Sequence, residues 1–214
     1  MDQQIRRVEL IKMLLEERPE YHGVGIPVSS KDQQRLLRSL MNIRLPGDIS
    51  DEFTKIQDEY LAEAIRDKGI TDIADLTPVR DGMYLWQGDI TTLKCDAIVN
   101  AANSGMTGCY APCHGCIDNC IHTYAGVQLR NCCAEIMEKQ GHEEETGKAK
   151  ITPGFNLPCN REMVKYRQLT LIVLYYAFLF RGNFPDIFSD ILSQDTVVYM
   201  YTVECYVKKV AQYC

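Results

Sequence analysis

A chain of 214 residues with 46% hydrophobic and 24% charged side chains is long enough to bury a core and too apolar for wholesale disorder or a fibrous architecture. Its net charge of −6 works against broad nucleic-acid binding, which depends on Lys and Arg neutralising phosphates, although backbone amides can still hold a small anion. The start, "MDQQIRRVELIKMLLEERPE", has no apolar signal core, and the run at 169–180 falls short of the ~20 apolar residues that span a bilayer. A cytoplasmic protein with no membrane or nucleic-acid partner is expected.

Residues 1 to about 70 carry three helical patterns: Ile5, Val8, Ile11, Leu14 and Leu15; then Leu36, Leu37, Leu40 and Met41; then Phe53, Ile56, Tyr60, Leu61, Ala64 and Ile65. Ser30 and Ser50 are placed as N-caps, Gly69 as the stop, and Pro27 and "LPGD" at 45–48 as punctuation. The pattern then changes to β-formers at 83–87 and 97–101, and the apolar run "AIVNAA" predicts a strand buried on both faces. Such a strand suits a parallel sheet covered by helices, so the fold class is α/β. Ile121, Ala125, Leu129, Cys132, Cys133, Ile136 and Met137 predict one helix over 117–140, ended by Gly141. Folds of this class bind ligands beyond the C-terminal ends of their strands, which here means residues 100–116.

"GCYAPCHGCIDNC" (108–120) concentrates thiols in a chain with ten cysteines and no export signal. In a reducing compartment such thiols bind metal or serve chemistry more often than they form bridges. Cys109, Cys113, His114, Cys116 and Cys120 are close enough in sequence to converge on one ion, three of them making an open site and four a closed one. The spacing favours metal over the alternative, that Cys116 and Cys120 are simply small buried hydrophobes. Asp118 and His122 share a helical face; the acid could support a ligand, act as a base or merely favour the helix dipole, and a lone His is more often packing than ligand. Asn100 and Asn103 can meet ribose hydroxyls or form turns, and Asp89 in "QGDIT" can accept from an exocyclic amine or form an Asx turn.

Together, "GDIT", "VNAAN" and "GCYAPCHGCIDN" resemble the zinc-dependent macrodomains, a bacterial and fungal branch of the ADP-ribose-binding macrodomain family. The likeness runs over about 70–158 and extends to the N-terminal helices. It implies a three-layer α/β/α macrodomain (71–158) behind a helical extension (1–70), acting as a hydrolase that removes mono-ADP-ribose from modified proteins. On this likeness Asp89 and Ile90 hold the adenine, Asn100 and Asn103 face the distal ribose, and Ser104, Gly105 and Gly108 line the diphosphate. The zinc ligands fall on Cys109, His114 and Cys116, with Cys113 and Cys120 as non-ligands. Asn103 and Asp118 are the candidate catalytic residues, Asp118 as acid-base or ligand support. Residues 159–214 depart from the pattern, which predicts a divergent, frameshifted or truncated tail and an incomplete sheet. Two competing functions remain: an ADP-ribose-binding module without turnover, and a structural zinc module closed by Cys113.

Overall fold

Side chains outside the core start each N-terminal helix. Asp2 accepts from the Gln4 amide at 2.8 Å, Ser29 from Asp32 at 3.1 Å and Ser50 from Phe53 at 3.1 Å, opening α1 (Gln3–Glu16), α2 (Ser30–Ile43) and α3 (Asp51–Lys68). The cap of α2 is therefore Ser29 and not Ser30, because Ser29 keeps an extended backbone (φ −73°, ψ 135°) that sets Asp32 where its carboxylate meets the same hydroxyl. Gly69 ends α3 at φ 86°, as its placement predicts.

The computed structural model describes residues 1–80 and 83–159, together with the strands at 162–167 and 197–200. The apolar run at 169–180 and most of the 159–214 tail lie outside these residues.

Leu10, Ile11, Leu14 and Leu15 of α1 pack with Leu37, Leu40 and Met41 of α2 and with Phe53, Ile56, Tyr60 and Leu61 of α3. Leu10, Ile11, Leu37 and Leu61 are fully buried, and each contributes roughly 2 kcal/mol through apolar surface removed from water. Ile5, expected on this face, is 56% exposed. The buried arc of α1 is set by α2 and α3 together, so it runs through Arg7, Leu10, Ile11 and Leu14, with the Arg7 guanidinium donating to Gln33 at 3.0 and 3.1 Å. Ala64 is only half-buried, at the edge of the α3 stripe.

The described strands form three small sheets. β1 (Thr71–Asp72) runs parallel to β4 (Leu93–Lys94); β3 (Met83–Trp86) lies between antiparallel β2 (Pro78–Arg80) and parallel β8 (Val197–Met200); β5 (Ala97–Ala102) runs parallel to β7 (Glu162–Arg167), which pairs antiparallel with β6 (Ala149–Pro153). The tail thus supplies β7 and β8. "AIVNAA" is not buried on both faces: Ile98, Asn100 and Ala102 point inward, while Val99 is 38% exposed. The helices covering β5 lie on one face of it, so the strand alternates with the period of the pleat.

The helix expected over 117–140 is two helices, α4 (Ile117–Ala125) and α5 (Val127–Gln140), broken at Gly126, whose φ is +93°. A Cβ there would sit 2.7 Å from Gln57 Nε2, and the fully buried Gln57 of α3 accepts the Val127 amide at 3.0 Å, satisfying the first orphan donor of α5. Gly141 ends α5 in the left-handed conformation, as expected. Ile121, Ala125, Leu129 and Cys133 of these helices form a second core with Ile90, Leu93, Ile98 and Leu157, and Tyr124 packs against both cores. Among the described residues no helix is long and apolar enough to cross a membrane.

Arg130 of α5 joins the two parts. It is 4% exposed; its Nη1 donates to the carbonyls of Met41 (3.1 Å), Asn42 (2.8 Å) and Arg44 at the end of α2, and its Nε donates to the Thr107 carbonyl at 2.8 Å. The Tyr110 ring lies 4.4 Å from the guanidinium carbon. Burial lowers the Arg130 pKa, but a guanidinium still stays charged. Arg130→Met leaves several buried carbonyls without a donor and is expected to cost about 3 kcal/mol or more in urea denaturation. A loss below about 1 kcal/mol would show that the guanidinium is not the joint.

Candidate active site

The C-terminal end of β5 delivers Asn100, which is fully buried. Its Nδ2 donates to Asp118 Oδ1 at 2.8 Å, and its Oδ1 has no partner among the described residues. Asp118 is 5% exposed in the first turn of α4, and His122 Nε2, one turn on, lies 3.6 Å from the same carboxylate oxygen. The shared face read from the sequence thus becomes a buried Asn100–Asp118–His122 chain.

The loop after β5 turns tightly. The Met106 amide donates to the Asn103 carbonyl at 3.1 Å, Met106 and Gly108 have φ of 60° and 89°, and Asn103 Nδ2 donates to the Gly108 carbonyl at 3.0 Å. Gly108 lies against the His122 ring, where an added Cβ would come within 2.8 Å, so both conformation and space require glycine there. The Glu144 amide holds the Ser104 carbonyl at 2.9 Å, and Glu144 pairs with Lys150 at 2.9 Å. Asn103 is exposed and Asn100 buried, so the two amides offer their free atoms at different depths.

Asp89 caps the short turn before β4: its Oδ1 accepts from the Thr91 amide at 3.0 Å and the Thr91 hydroxyl at 2.7 Å. Its Oδ2 accepts from Lys68 Nζ at 2.8 Å, and that ammonium lies 3.2 Å from the centroid of the Tyr124 ring. Sequence reasoning missed Lys68, which ends α3 with no local signal for a partner 21 residues away. Burial raises the Asp89 pKa, but the bonds from Lys68 and Thr91 outweigh it and hold the carboxyl below its ordinary value. Ile90 beside it is buried.

Cys109, His114 and Cys116 converge, their donor atoms all within 4.8 Å of one another and Cys109 Sγ 3.6 Å from His114 Nδ1. Cys116 is also the N-cap of α4, its sulfur accepting the Asn119 amide at 3.4 Å. Two sulfurs and an imidazole suit zinc. Burial pushes the Cys116 thiol up to about 12, so a thiolate there needs a compensating cation. Cys113 points elsewhere, with its sulfur 3.2 Å from Ser39 Oγ and 3.4 Å from the Arg35 carbonyl, and Cys120 lies 3.5 Å from Arg38 Nη2. Cys109, Cys113, Cys116 and Cys120 are free thiols.

Residues 99–164 match the Macro domain family. The α/β part has the macrodomain fold. A protein-ADP-ribose hydrolase of Treponema medium is 66% identical over 163 residues, covering 74% of this chain and 62% of that protein. A protein-ADP-ribose hydrolase of Staphylococcus aureus (strain MRSA252) is 50% identical over 150 residues, covering 70% of this chain and 56% of that protein. The chain thus spans about three fifths of the length of these curated relatives. A Trypanosoma brucei macrodomain solved in complex with ADP-ribose is 25% identical, covers 65% of this chain and 59% of its own, and has a TM-score of 0.42.

The Lys68–Asp89 pair gives this chain an acid-sensitive contact. Because the folded pKa of Asp89 lies below its unfolded one, the stabilisation is complete above about pH 4 and is lost as pH falls through the folded value. Lys68→Met is expected to cost less than about 1 kcal/mol at neutral pH, since the Asp89 side chain is 47% exposed, and the gap between variant and parent should close towards acid. Urea denaturation at several pH values reads this, and a gap that stays constant would contradict it.

Proposed function

We propose that this macrodomain is a zinc-dependent hydrolase that removes mono-ADP-ribose from modified proteins. The observation that carries the reading is the Cys109, His114 and Cys116 donor cluster on the loop that leaves β5, the strand bearing Asn100. The names of the relatives support the hydrolase reading. A zinc ion held by these three residues supplies Lewis-acid polarisation of a ribose oxygen and lowers the pKa of a water.

The remaining work falls to the chain itself. Asn100 offers its unpartnered Oδ1 to a ribose hydroxyl, and Asp118 fixes that amide by accepting from Nδ2, which makes Asp118 a positioning residue. Asn103, exposed on the turn, orients the distal ribose, and the backbone amides from Ser104 to Gly108 follow the diphosphate. Adenine binds at Asp89 and Ile90 once Lys68 yields a carboxylate oxygen. In the reaction, water oxygen bonds to the anomeric carbon, and the bond to the acceptor side chain breaks with its electron pair leaving on the acceptor, which takes a proton.

The structural-zinc alternative is disfavoured by the Cys113 thiol, which is engaged by α2. Binding without turnover is separated by experiment. With zinc-loaded protein and a mono-ADP-ribosylated substrate, Asn103→Ala is expected to keep its metal and lose roughly 100-fold in turnover, from lost orientation of the sugar. Cys116→Ala is expected to lose metal and turnover together. A parent that binds ADP-ribose by calorimetry but releases none from the modified protein would replace the hydrolase with a binding module.

A further inference from the structure

The loop from Cys109 to Cys116 has few means of holding itself. Ala111, Pro112, His114 and Gly115 are exposed, and Cys113, although not glycine, has a φ of +53°. Its anchors come from α2, some 70 or more residues earlier in the chain, and from Asn119 of α4. Arg38 Nη2 donates to the His114 carbonyl and to Asn119 Oδ1, both at 2.8 Å. Asn119, fully buried on α4, donates through Nδ2 to the Cys109 carbonyl at 3.3 Å and the Ala111 carbonyl at 3.0 Å, while its backbone amide donates to Cys116 Sγ at 3.4 Å. Each of the three donor residues is thereby bonded to Arg38 or to Asn119, and those two to each other. Asn42, 1% exposed, completes the clamp: its Oδ1 accepts the Cys113 amide at 2.9 Å, and its Nδ2 donates to Thr123 of α4 at 2.9 Å.

Arg38 also leaves its buried Nε without a partner among the described residues, a penalty tolerated where the side chain is committed to its Nη2 contacts. We infer that Arg38, Asn42 and Asn119 are positioning residues that hold Cys109, His114 and Cys116 in ligating geometry, so that the N-terminal extension is part of the metal site. This rests on the zinc reading above. It assigns the extension a task that its packing alone does not: outer partners of metal ligands set affinity by fixing the ligands before the metal arrives.

The test is Zn2+ affinity of the full chain by competition with a chromophoric chelator, with the Co2+-substituted absorption spectrum as the geometric readout. Arg38→Ala and Asn42→Ala are each expected to weaken Zn2+ binding by roughly 10- to 100-fold and to shift the Co2+ bands, with near-parental urea midpoints for the metal-free chains. Arg38→Lys, which keeps the charge but not the planar fork, is expected to fall between. Parental affinity and spectrum in both alanine variants would overturn the inference and leave the zinc reading intact. A weakening seen only in variants whose metal-free midpoint collapses would also overturn it. A parent chain that binds no Zn2+ overturns both readings.

Discussion

A buried guanidinium that must find acceptors constrains the whole arrangement. Arg130 cannot shed its charge, and at 4% exposure water does not solvate it, so its donors have to end on protein oxygens. They end on the buried carbonyls at the C-terminus of α2, which have no partner within the helix, and on Thr107 of the loop after β5. A helix end with unsatisfied carbonyls and partial negative charge is a natural seat for a cation, so both sides of the contact lose an electrostatic penalty together. One consequence is that α2 is tied in place relative to the loop that carries Asn103, Cys109, His114 and Cys116.

The extension and the α/β part are consequently tied together by polar contacts, although they hold separate apolar cores. α2 grips the cysteine loop through Arg38 and Asn42, α3 sends Lys68 to Asp89, and Gln57 of α3 caps α5. These contacts are polar and directional, whereas the packing between the cores runs chiefly through Tyr124 and Val127. Apolar packing fixes distance and tolerates rotation; hydrogen bonds to named atoms fix orientation, which is what converging ligands need.

What could be read from the sequence follows the reach of each interaction. Ser50, Gly69 and Gly141 act within a turn of their own helix, and all three punctuate as expected. The α/β class, the β5 strand and the place of the loop after it were also legible, because periodicity and turn chemistry are local. Ser29 displaced Ser30 since two adjacent serines offer equal caps and only the backbone chooses between them. Gly126 breaks the 117–140 helix because Gln57, 70 positions away, accepts the freed amide. Lys68 and Arg38 carried no local mark at all, their partners lying 21 and up to 82 residues distant. The burial of "AIVNAA" was misjudged because composition shows that a strand is apolar and not how many of its faces are covered.

The same residues also explain why a dense thiol cluster resolves into one trio. Cys113 and Cys120 face α2, whose Ser39, Arg35 and Arg38 engage them, while Cys109, Cys116 and His114 face one another. X-ray absorption at the zinc edge of the purified full chain tests this most directly. Two sulfur scatterers near ~2.3 Å, one imidazole and one light atom from solvent are expected. A third sulfur in the coordination sphere, or protein that carries no zinc after purification with the metal supplied, would contradict the account.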